Sequence, residues 1–164
     1  MKKIVIAAVL ILIILCGVFA YLKNSDPLDV GAIATSTFDN KHILLVEVGN
    51  KSNFSKIHIE EVLINNRVKP SNLKLQISTP LKGFTISDSN EGNEEKGYIF
   101  KDLQNVSLLP NTTTQKQLEK ANNGTATDND KIYAISISDK DKIQEVLIKY
   151  RYFGLSYEKV VPIK

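Results

Sequence analysis

Two histidines, His42 and His58, are the side chains here best suited to metal or proton chemistry. Each stands in a stretch that reads as a strand, and a catalytic zinc site ordinarily takes three protein ligands, so carboxylates would have to complete any such site. A surface histidine is the simpler reading, and the sequence implies no metal and no cofactor. Asp128-Asn129-Asp130 and Asp139-Lys140-Asp141 place oxygen ligands close together but lack the glycine and the distal glutamate that a calcium loop needs, so both read as solvated turns. Ser71 and Lys74 stand three apart, the spacing at which a lysine activates a serine one helical turn away. The run Asn72–Ser78 alternates like a strand, however, and on a strand a spacing of three sends the two side chains to opposite faces. Cys16 is the single cysteine and lies in an apolar run, which leaves no thiol nucleophile and no disulfide elsewhere. No catalytic set emerges, and the expectation is a protein that is not an enzyme.

Aromatic residues offer more for binding. Tyr150, Tyr152, Phe153 and Tyr157 lie beside Lys149, Arg151 and Lys159, and aromatic rings next to cations can grip sugars, peptides or anionic lipid surfaces. The alternation of Tyr150 and Tyr152 is what a core strand demands, whereas Phe153, Leu155 and Tyr157 flank Gly154, where a turn is expected. These three residues are the candidate binding surface, because turn tips are exposed and apolar residues at a tip tend to mark an interaction site. Leu109-Pro110-Asn111-Thr112 matches four residues of the sortase sorting signal, but Thr113 stands where that signal has glycine and a β-rich sequence follows it. The motif reads as the turn that ends a strand.

Short strands carry these residues. Val30–Phe38 and His42–Val48 flank Asp39-Asn40, a pair that tolerates positive φ, and so form an expected hairpin. Further strands are expected at Ile57–Ile64, Asn72–Ser78, Tyr98–Phe100, Val106–Leu109, Ile132–Ser138, Ile143–Phe153 and Ser156–Ile163. Leu73, Leu75 and Ile77 share one face of their strand, and Asn72, Lys74, Gln76 and Ser78 share a face expected to be wet. Residues 87–97 are too polar to pack and are expected to form the most exposed loop. Thr114-Gln115-Lys116-Gln117 fits a capping box for one short helix, although Leu118 is its lone large apolar residue.

Ile4–Leu22 is apolar throughout and carries no charge; as a helix rising about 1.5 Å per residue it spans nearly the ~30 Å hydrocarbon layer. Lys2 and Lys3 precede it, so the positive-inside tendency keeps the N-terminus cytoplasmic and sends the rest across. The expected organisation is an anchor over residues 1–22, a short polar tether over 23–27 and an extracytoplasmic domain over 28–164. The alternative is secretion after cleavage near Ala20. Lys2 and Lys3 account for two of the 21 cations, which leaves the exported part nearly balanced against 18 acids and excludes a nucleic-acid footprint. The membrane, through residues 4–22, is the one partner the sequence names; a protein or cell-wall partner is left unidentified.

Seven to nine short strands without βα alternation predict an antiparallel β-sandwich. An N-terminal anchor followed by a cysteine-free sandwich resembles the immunoglobulin-like extracytoplasmic domains of bacterial surface proteins. That resemblance is architectural, and it implies a membrane-anchored interaction or accessory module. The Cys-Trp-Cys core of antibody domains is missing, so no antibody-type function is implied. Two other readings stay open: a cell-envelope hydrolase whose site has no recognisable motif, and a pilin-like subunit. Pilins also place an apolar helix before a β domain, but the glutamate usual within that helix and the preceding glycine cleavage point are absent here.

Overall fold

The computed structural model describes residues 2–86 and 98–163, and the polar loop expected over 87–97 lies outside the described residues. The chain opens with helix α1 (Lys2–Asn24), which is long and apolar enough to cross a membrane. Its described side chains are exposed all round up to Tyr21, as those of a helix without an apolar partner inside the protein must be, and Leu22 alone of them is partly buried. Among the described residues nine strands and one further α-helix follow: β1 (Leu28–Phe38), β2 (Lys41–Asn50), β3 (Ile57–Ile64), β4 (Asn72–Ser78), β5 (Ile99–Lys101), β6 (Ser107–Leu108), α2 (Thr114–Asn122), β7 (Ile132–Asp139), β8 (Glu145–Tyr152) and β9 (Leu155–Pro162), with a 3-10 turn at Leu103–Asn105.

The strands form two antiparallel sheets, one in the order β1-β2-β7-β4-β5 and the other in the order β6-β3-β8-β9. A common core joins them. Leu44, Val46, Leu75, Ile135 and Ile137 of the first sheet belong to the same buried cluster as Ile57, Ile59, Val146, Ile148 and Tyr150 of the second. The fold is therefore mainly β and antiparallel, with one N-terminal apolar helix.

Two hairpins turn on the same geometry. Phe38 pairs with Lys41 across Asp39 and Asn40, whose φ values are 47° and 60°. Tyr152 pairs with Leu155 across Phe153 and Gly154, at 49° and 77°. Two central residues at positive φ define the tight turn whose twist matches that of paired strands. Asp, Asn and Gly accept this conformation at little cost, but an aromatic residue does so only with strain.

Two expectations need correction. Gln76 and Ser78 are buried rather than wet, because the segment after β4 folds over the outer face of the first sheet. In the orientation that satisfies both groups, the Gln76 amide donates to the Thr85 carbonyl and accepts from the Thr85 N–H, each at 3.1 Å. The second correction concerns α2. Its N-cap is Thr113, one residue earlier than the capping pattern suggested, and the Thr113 hydroxyl accepts from the Lys116 N–H at 3.3 Å. The helix lays Gln117, not Leu118, against the sheet: Gln117 is buried and Leu118 exposed.

Candidate binding surface

One end of the β domain gathers the start of β1, the loop after β2, the start of β3 and the β8–β9 turn. Helix α1 joins the domain at this end, and the joint is built from polar groups of known partners. The Tyr157 hydroxyl donates to the Leu22 carbonyl at 2.5 Å, which occupies one of the carbonyls that a helix C-terminus leaves without a partner. Ser25 donates to the same carbonyl from its N–H at 3.0 Å and from its hydroxyl at 2.7 Å. Leu22 itself packs against the core cluster.

Asp26 lies next along the chain and is the centre of an ionic group. Lys159 Nζ donates to its carboxylate at 2.5 Å and to the Leu28 carbonyl at 3.0 Å, while Lys51 stands 3.8 Å from the same carboxylate. The Tyr150 hydroxyl donates to Asp26 at 3.4 Å, and burial together with that carboxylate pushes the hydroxyl well above its ordinary pKa. Lys51 N–H donates to the Pro27 carbonyl at 2.8 Å. The residues between α1 and β1 are thus bonded to Lys51, just after β2, and to β8 and β9, in a stretch that sequence pattern marks only as polar.

The three candidate residues sit at this same end in different states. Phe153 is 54% exposed at the turn, with its ring edge-on to Tyr152 at 4.7 Å between centroids. Leu155 is half-buried. Tyr157 is also half-buried and stacks on the buried Tyr150 at 5.3 Å, which makes it a member of the joint rather than a free ring.

A residue that sequence reasoning missed stands beside them. Phe54 is 86% exposed at the tip of the loop after β2. Asn50, wholly buried, builds this loop: its amide donates to the carbonyls of Ser55 at 2.9 Å and Leu108 at 3.2 Å and accepts from the Ser52 N–H at 2.9 Å. The Ser52 hydroxyl accepts from the Phe54 N–H at 3.1 Å and from the Tyr152 hydroxyl at 2.9 Å, which ties the Phe54 loop to the Phe153 turn. The signal available in sequence was a large apolar residue between Asn53 and Ser55, in a loop with nothing for it to pack against.

The chemistry-bearing residues singled out in sequence do not converge. His42 is in the first sheet opposite Asp139, and His58 is in the second opposite Arg151. Among the described residues no three His, Cys, Asp or Glu side chains are grouped so as to hold a metal. Asp139 accepts from the Ser71 N–H and hydroxyl at 2.7 and 2.9 Å, and Asp130 caps the Thr127 N–H at 2.9 Å, so both acids organise turns. A cleft of about 720 Å³ opens at the far end between β1, β2 and the segment that leads into β8, with His42 and Lys142 in its walls. A smaller cavity of about 410 Å³ lies under α2 against the first sheet, lined in part by Glu47, Gln117 and Phe84. Burial raises the Glu47 carboxyl above its ordinary pKa against the N–H of Ala32, which bonds it at 3.2 Å, and nearby Asp29 adds to the rise.

No protein-family model matches the chain, and no curated protein or solved structure is significantly similar to it.

Proposed function

We propose that the chain is a single-pass membrane protein whose β domain stands outside the cytoplasm in a set orientation and works as a binding module. Lys2 and Lys3 before α1 support that topology. The strand order supports an immunoglobulin-like reading of the domain: β1-β2-β7-β4 facing β3-β8-β9 follows the arrangement of two sheets in that fold, with β5 and β6 as additions.

The observation that carries a binding role is the free edge of β1 on a domain whose anchor joint is bonded. The register of β1 slips between Val30 and Ile33, but from Ile33 to Phe38 it runs regularly, with neither the charge nor the proline that can blunt an open strand. Residues Thr35–Phe38 are exposed. An extended segment of a protein partner can add there as a further strand, with main-chain hydrogen bonds supplying affinity. The test has two parts. Protease added to intact spheroplasts should digest the β domain, and full protection would reverse the topology. Partner capture by the full-length protein in detergent should then be lost in a Thr35→Lys, Thr37→Lys variant of unchanged melting temperature; retention of the same partners would reject the edge.

A further inference from the structure

Phe153 and Phe54 are the two most exposed rings at the end of the domain that α1 enters, and the turn that carries Phe153 is strained for it. The companion hairpin shows what that turn would hold if only folding mattered, since Asp39 and Asn40 fill the equivalent positions. An aromatic side chain kept at positive φ, half exposed to solvent, points to a surface that the ring contacts.

The bonded joint says where that surface lies. Leu28 is held at Lys159 and Leu22 at Tyr157, so following the chain back toward α1 runs along β9 toward its turn. At about 3.3 Å per residue, the Phe153–Gly154 turn lies roughly 10 Å beyond Tyr157 in that direction. Leu22 ends the apolar run, so the turn reaches the level at which that run would meet lipid. The Phe54 loop is pinned beside it through Ser52 and Tyr152; exposed Lys56 follows Phe54 by two residues, and exposed Lys23 follows Leu22. Aromatic rings with neighbouring lysines are the side chains that settle at the boundary between headgroups and acyl chains.

We infer that Phe153 and Phe54 insert into the interface of the same bilayer that α1 crosses, so that the domain rests on the membrane by this end. The inference rests on the membrane-anchored reading above and deepens it. The protein contains no tryptophan, so single substitutions act as reporters. Phe153→Trp, Phe54→Trp and, at the opposite end, Phe38→Trp are made in the full chain and reconstituted in dioleoylphosphatidylcholine vesicles, with and without brominated acyl chains. Ile11→Trp, inside α1, reports anchorage by itself.

The expected result is blue-shifted emission from F153W and F54W, a loss of at least about half their intensity to brominated lipid, and weak quenching by aqueous iodide, with F38W showing the reverse. Iodide quenching of F153W and F54W equal to that of F38W, while brominated lipid quenches I11W, would overturn the lipid contact and leave the anchor standing. Protection of both rings from iodide and lipid alike would also overturn it, in favour of a protein contact. A failure of brominated lipid to quench I11W would remove the anchored reading and this inference together. Unchanged melting temperatures establish that each reporter folds.

Discussion

Replacing Asn50 by alanine is the sharpest test of how the end of the domain nearest α1 is held. The wholly buried amide makes three hydrogen bonds, and their loss leaves the Ser55 and Leu108 carbonyls and the Ser52 N–H short of a partner. At about 1 kcal/mol for each bond, the expected cost is about 3 kcal/mol. For a protein of this size that lowers the melting temperature by about 9 °C. Thermal unfolding of the full chain in detergent, followed by circular dichroism, measures it. Asn50→Asp separates hydrogen bonding from packing: it keeps the acceptor for Ser52 but turns a carboxylate oxygen toward two carbonyls. That variant should fall further than alanine at neutral pH and recover as pH drops, because protonation restores a donor and is favoured in the folded state. A fall of less than about 2 °C for Asn50→Ala, with no pH dependence in Asn50→Asp, would refute the claim that this amide organises the loop.

Gly49→Ala should cost about 3 kcal/mol or more, since its Cβ would stand 2.1 Å from the Thr112 carbonyl oxygen and 3.0 Å from Thr113 Cα, both backbone atoms; chemical denaturation reads the loss. Phe153→Asn should raise stability by about 0.5–1 kcal/mol, because asparagine accepts positive φ, while abolishing the contact made by the ring; a destabilised variant would show that Phe153 works in packing. Glu47→Gln should stabilise the protein above the ordinary carboxylate range and lose its advantage below it. The sign follows from the raised pKa: wild-type stability falls as pH climbs through the folded-state value, whereas the amide does not titrate, and paired thermal melts across that range measure the difference. Tyr157→Phe should leave the core intact but remove the bond from β9 to the Leu22 carbonyl, which then keeps only its local Ser25 donors, so proteolysis between residues 22 and 28 should quicken with little change in melting temperature.

Strands whose two faces differ in polarity were legible from sequence, because period-two alternation reports which face meets the core. Tyr150 and Tyr152 are read as core in this way, and both are buried. Gln76 and Ser78 were misread for the complementary reason: alternation shows a polar face but not the segment at Thr85 that later covers it. The order of strands was not legible either. β2 lies between β1 and β7, and β3 lies between β6 and β8, partners set by which edges remain after local hairpins close. At the candidate surface, the Phe153 turn could be read from Gly154, whereas the role of Tyr157 could not. Its hydroxyl meets a carbonyl 135 residues away, and no local pattern encodes that distance.

That separation also sets a schedule. Leu22 emerges from the ribosome long before Tyr157 and Lys159 exist, and at about 5–20 residues per second the interval is roughly 10 s. Throughout that time α1 and the nascent strands are coupled only by the chain between them, free to swivel. The setting of the domain on α1 is therefore the last property the protein acquires, locked when β9 closes on β8, and anything that delays that hairpin prolongs the period in which the domain is tethered but has no heading.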